Sequence, residues 1–181
     1  MKIFRKLPVL FFVLFMFASC VKQLDFDQVN DLSISPAYKS PLVHFNVNQT
    51  DFLLNTVEIP TITGEFPFTI IDNSFVKENL KEVELEFEIN NQFSRKFTLG
   101  ILFLDDNDVV TYSFPTFVIN PNTVSLIQKT SILIANNLRF LDSTKMQFTI
   151  SLLPSSGGSV LDPDILQTLA FKLAGTYFFK T

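Results

Sequence analysis

The chain has no tryptophan, one cysteine, one histidine and five glycines in 181 residues. A lone cysteine has no partner within the chain, so no disulfide staples the fold and stability must come from burial. A lone histidine, His44, cannot build a histidine-rich zinc site, and as a general base it would need an oriented partner. No Walker loop and no dinucleotide fingerprint is present. Ser155, Ser156 and Ser159 fall in a loop without the strand–Gly-x-Ser-x-Gly–helix setting of a nucleophile elbow. The missing tryptophan removes the usual sugar-stacking ring, leaving that role to Tyr38, Tyr112 and Tyr177. These absences predict a protein that is no enzyme and has no cofactor, no catalytic residue and no metal site.

Long apolar runs are equally scarce after the start. Lys2, Arg5 and Lys6 form a short basic opening, residues 7–17 carry no charge, and Ala18, Ser19 and Cys20 follow. A basic start, an apolar core of about a dozen residues and small residues at the cut describe a secretory signal. A membrane-crossing helix needs about 20 apolar residues, more than this run supplies. Phe17-Ala18-Ser19-Cys20 resembles the lipobox of bacterial lipoproteins, with Phe17 where leucine is usual. The resemblance implies that 1–19 is a signal peptide, that Cys20 is acylated, and that membrane lipid is the partner of the mature N-terminus. It also implies a lipid-anchored place in the cell envelope, at the outer membrane on its periplasmic or surface face. Several acyl chains on one residue hold a protein firmly at a bilayer, whereas a single chain binds marginally.

Removal of 1–19 leaves 162 residues with eleven basic and eighteen acidic side chains, a net charge of −7. An acidic surface of that size excludes nucleic acid as a partner and disfavours anionic lipid as a binding surface. Seventeen of the 22 phenylalanines remain. Each is worth roughly 1.5–3 kcal/mol when buried, which supplies the core that cysteine does not staple.

Residues 20–37 are polar with scattered single hydrophobes and read as the lipidated N-terminus and a flexible tether. A domain follows over 38–181. Residues 42–47 alternate apolar and polar, 57–59 and 66–71 read as two more strands, and Pro67 marks an edge. Asp72-Asn73-Ser74 predicts a capped helical turn through Leu80. The strongest signal is 82–90, where Glu82, Glu84, Glu86 and Glu88 face one way and Val83, Leu85, Phe87 and Ile89 the other. Strict period-two alternation marks a half-buried antiparallel strand. Asn90-Asn91-Gln92 reads as a hairpin turn with Phe97, Leu99, Ile101 and Phe103 on the return strand. Further strands are expected at 110–114, 124–134, 146–152 and 169–179, the last bent at Gly175, with helical turns over 135–141.

About nine short strands and one or two helical turns predict an all-β, antiparallel β-sandwich of immunoglobulin-like or jelly-roll type. The stretch from Glu82 to Phe114 is similar to small β-sandwich lipoproteins of bacterial envelopes, though no specific motif carries that likeness. Alternate glutamates on one strand lie about 6.6 Å apart, too far for neighbours to share an ion, so the row reads as a solvated face. Asp105-Asp106-Asn107-Asp108 lacks the spacing of a calcium loop and reads as a hairpin tip; Asp162-Pro163-Asp164 reads likewise. The expected function is presentation of the sandwich to an envelope protein partner or envelope support. The alternative is a ligand-binding lipoprotein that holds a glycan or a hydrophobic small molecule.

Overall fold

The computed structural model describes residues 36–155, 157–158 and 160–180. The expected signal peptide, Cys20 and the expected tether up to residue 35 lie outside the described residues. In chain order come β1 (Ala37–Asn48), a 3-10 turn (Gln49–Phe52), β2 (Leu53–Leu54), β3 (Val57–Glu58), β4 (Thr61–Pro67) and α1 (Ser74–Asn79). Then follow β5 (Leu80–Asn91), β6 (Phe97–Leu104), β7 (Val110–Ser113), β8 (Phe117–Ile119) and β9 (Thr123–Leu133). Two 3-10 turns (Ile134–Asn136 and Leu138–Asp142), β10 (Lys145–Leu152) and β11 (Thr168–Phe179) complete it.

Every strand pair is antiparallel. One sheet has the order β1-β11-β5-β9 and the other β4-β10-β6-β7, with β8 also on β6. β7 and β8 pair with opposite halves of β6 and are separated by Pro115, so they act as one interrupted strand. The pairing is then nested: β1 with β11, β4 with β10, β5 with β9, and β6 with β7–β8. Such nesting is what results when one long antiparallel ribbon is wrapped over itself, and it defines the jelly roll rather than the immunoglobulin-like alternative. Among the described residues nine strands form the two sheets, and the two-residue β2 and β3 make a separate small hairpin.

The alternation of β5 is realised as written. Val83, Leu85, Phe87 and Ile89 are buried and the four glutamates are half-buried on the outer face. The opposite sheet answers with Phe97, Leu99, Ile101 and Phe103 from β6 and Met146, Phe148 and Ile150 from β10, all buried. Rings meet across the gap: Phe148 of β10 lies 5.2 Å from Phe171 of β11, edge to face. Aromatic pairs in that geometry contribute about 0.5–1.5 kcal/mol beyond their burial. Asn73 caps α1 by accepting a hydrogen bond from the Phe75 amide at 2.8 Å. Pro67 closes β4, which is an edge strand.

Three expectations are corrected. Residues 90–92 do not make a hairpin: β5 and β6 lie in different sheets, because their apolar faces must oppose each other across the core. Of the run 66–71 only Phe66 and Pro67 are strand. β4 spans 61–67, and Phe68 and Ile71 are buried from the loop beyond it. Gly175 does not bend β11, which pairs continuously there; the irregularity lies on β1, between Pro41 and Val43.

Candidate functional site

The connections 49–60, 92–96, 120–122 and 153–167 gather at one end of the sandwich. The chain enters at the other, where the Phe179 amide donates to the Pro36 carbonyl at 3.3 Å. β1 runs the length between them, about 40 Å at roughly 3.3 Å per residue. Two buried polar side chains tie the four loops together. Asn91 donates through Nδ2 to the carbonyls of Arg95 (3.0 Å) and Asn120 (2.7 Å), and its Oδ1 accepts from the Phe93 amide at 3.0 Å. The Arg95 guanidinium, 7% exposed, donates to the Leu153 carbonyl from Nε (3.2 Å) and Nη2 (2.7 Å). Its Nη1 reaches Glu58 Oε1 at 3.0 Å, and the same carboxylate oxygen accepts from the Leu161 amide at 2.6 Å. On this braced end stand exposed apolar side chains: Leu54 and Val57 at the β2–β3 tip, and Val160, Ile165 and Leu166 in the last loop. Leu166 is 85% exposed. The tip turn holds Asn55 and Thr56 at positive φ, which fixes its shape. Neither Arg95 nor Asn91 is conspicuous in the sequence. The signal available was the alternation of Phe93, Arg95 and Phe97, which sets the arginine on the side that buries both rings.

Three glutamates of the β5 row, Glu84, Glu86 and Glu88, are matched by lysines from the neighbouring strands β9 and β11 and from β1 beyond β11. Lys39 lies 3.2 Å from Glu86, Lys129 lies 3.2 Å from Glu84 and 3.0 Å from Glu86, and Lys172 lies 3.3 Å from Glu88. Hydrogen bonds from Lys129 and then Lys39 hold the Glu86 carboxyl below its ordinary range, and Glu86 and Glu84 push the Lys129 ammonium up. The face is therefore a paired lattice rather than an open anionic strip. Beside it a groove of about 470 Å³ runs along the β1 irregularity, lined by Pro41, Leu42, His44, Glu86, Glu88 and Lys172, among others. His44 is exposed on this outer face, because Phe45 turns inward to meet Phe66 at 5.4 Å and Phe171 at 5.0 Å. No serine lines the groove with it.

The remaining candidates are dispersed. Asp105 Oδ1 accepts from the Asn107 and Val109 amides, both at 2.9 Å, and Asp108 pairs with Lys145, so the acids shape a hairpin tip. Asp162 Oδ1 accepts from the Asp164 amide at 3.0 Å. Among the described residues no three His, Cys, Asp or Glu side chains gather where a metal ion could be held. The tyrosines form no common platform. Tyr177 is fully buried, Tyr112 is packed on Phe114 and Phe140 with its hydroxyl pKa raised by burial, and Tyr38 is exposed where the chain enters. Cys20, Ser156 and Ser159 lie outside the described residues. A last feature was invisible in the sequence: a small apolar slot of about 140 Å³ between the edges β1 and β4, walled by Phe45, Val47, Ile62, Phe66, Phe148 and Ile150.

No known family matches the sequence, and no curated protein does. Solved structures show low similarity. One is a Parabacteroides distasonis protein inferred to be secreted, at 14% identity and a TM-score of 0.49, covering 65% of this chain and 38% of that one. Another is the infectious bursal disease virus VP2 subviral particle, at 10% identity and a TM-score of 0.44, covering 80% and 32%. A third is the enzymatically active domain of bacteriophage CBA120 tailspike protein 4, at 9% identity and a TM-score of 0.37, covering 78% and 19%. This chain spans well under half the length of each. At these values no activity passes from them to this chain.

Proposed function

We propose that the chain is a non-catalytic lipoprotein, anchored in the cell envelope through acylated Cys20, that offers its jelly roll to an envelope protein. Its place is the outer membrane, on the periplasmic or surface face. The observation that carries the interaction reading is the loop end opposite the point where the chain enters. There, exposed apolar side chains stand on loops braced by Arg95 and Asn91. Contiguous apolar groups with a polar surround mark interaction surfaces, and bracing lowers the ordering cost of binding. In-cell photocrosslinking tests it, with a photoreactive residue at Val57 or Leu166 and a control at exposed Lys81. A protein adduct is expected from the loop positions alone, and it should vanish in the Cys20→Ser chain. Equal adducts from Lys81, or none from the loops, would count against the reading.

A ligand-binding reading is favoured by the apolar slot and by the groove beside His44. The slot suits a short alkyl group, and the paired charges of the groove suit hydroxyls that both donate and accept. Titration with a fluorescent fatty acid and a glycan array separate the two. Saturable binding with an empty crosslinking result would put this reading first.

A further inference from the structure

Edge strands carry backbone N–H and C=O groups with no partner, and native sheets blunt them with proline, bulges, charges or short length. Among the described residues, three of the four sheet edges are blunted. β1 carries Pro41 and the irregularity that follows it. β4 is seven residues long, contains Gly64 and Glu65, and ends at Pro67. β7 and β8 are four and three residues, broken by Pro115. β9 is different. It has eleven residues and no proline or glycine, and its irregularity, where Ser125 takes φ 52, is confined to its start. From Leu126 to Leu133 its register against β5 is unbroken. The one charge in that segment, Lys129, is held by Glu84 and Glu86 of its own sheet and is not left as a guard on the edge. Ile127 is 59% and Leu133 45% exposed on the outer face.

The geometry points to β9 as a self-association edge, along which two copies of this chain pair antiparallel about a two-fold axis at Thr130. Each four-stranded sheet then becomes half of an eight-stranded one. A second copy is the occupant because the segment is self-complementary in this register. Ile127 of one copy stands opposite Leu133 of the other, and symmetry repeats that apolar pair. Lys129 stands opposite Ser131, and Thr130 opposite Thr130. An axis at Lys129 would set two lysines face to face, which is unfavourable, and an axis at Gln128 would set each Ile127 against a lysine. The pairing buries apolar groups that water now covers and satisfies the edge backbone in one step. It requires nothing of the N-terminal anchor, so it stands or falls apart from the function proposed above.

Two measurements on the full chain test it. In a Cys20→Ser background, Thr130→Cys should form a disulfide dimer under mild oxidation. Gln128→Cys should form about ten-fold less, because its two copies would lie well beyond disulfide reach. Sedimentation of the wild-type chain should show a dimer that Ile127→Lys with Leu133→Lys converts to monomer without changing the strand spectrum; both positions are exposed, so folding is spared. A monomer at all concentrations, a dimer indifferent to those lysines, or crosslinking as strong from position 128 as from 130 would overturn the proposal. So would an in-cell photocrosslink from Ile127 to a different protein in place of a second copy.

Discussion

Tyr177 sets packing against polarity inside the core. Its ring is fully buried, its hydroxyl has no hydrogen-bond partner among the described residues, and burial pushes its pKa upward. Gly175 makes the arrangement possible, because a Cβ there would lie 2.6 Å from the hydroxyl oxygen and 2.9 Å from the ring carbon bearing it. Tyr177→Phe is expected to leave stability unchanged or raise it by about 1 kcal/mol in urea melts, since no bond is lost and a buried polar group is removed. Gly175→Ala should cost about 1–3 kcal/mol by overpacking, and less in the Tyr177→Phe background. A purely additive double mutant would show that the two residues do not compete for that space. Gln49 poses the same conflict at the loop end, 2% exposed with both amide atoms unbonded among the described residues. Gln49→Met, close in volume, should raise the urea midpoint, by about 1 kcal/mol in free energy.

At the scale of elements, β5 organises one face and Arg95 one end. The period-two pattern from Glu82 to Ile89 was legible because a strand needs only alternate positions to declare its two faces. What faced the glutamates was not legible: Lys39, Lys129 and Lys172 arrive from strands dozens of residues away in sequence. NMR titration should find the Glu86 carboxyl below the ordinary carboxylate range, and Lys129→Met with Lys39→Met should return it upward. The sign follows from linkage. A carboxyl lowered in the fold contributes stability above its unfolded value and loses it as pH falls through the folded one. The raised Lys129 contributes below its unfolded value and loses that as pH rises through its folded value. Lys129 is exposed and Glu86 is in contact with solvent, so added salt should weaken the effect. Arg95→Ala is expected to cost about 3 kcal/mol, because it strips the Leu153 carbonyl and leaves Glu58 without its ion pair. Proteolysis should then begin in the loop 153–167, and cleavage starting elsewhere would argue against the bracing role. The misread turn at 90–92 belongs here too. Asn-Asn-Gln suits a hairpin by composition, yet Asn91 spends its side chain on Arg95, Asn120 and Phe93 and sends the chain to the other sheet.

At the scale of the whole molecule, the proposed anchor and the jelly roll are separable claims. Intact-mass analysis of the exported product should find a chain beginning at Cys20 and carrying acyl groups; a bare thiol there, or a leader still attached, would reject the anchor. The local pattern determined that this is a sandwich of about nine strands filled by phenylalanine, since burial and period act over a few residues and can be read in any short window. It also marked the polar hairpin tip at 105–108 and the edge at Pro67. Only the tertiary structure decided that the strands nest as a jelly roll, and that His44 stands outside beside Glu86 and Glu88. It alone decided that loops 49–60 and 153–167 meet at Arg95, that Asn91 ties in 120–122, and that β9 is the one unguarded edge among the described residues. The reason is physical: strand pairing is set by which apolar faces can close over one another, a choice among partners far apart in sequence that no local window contains.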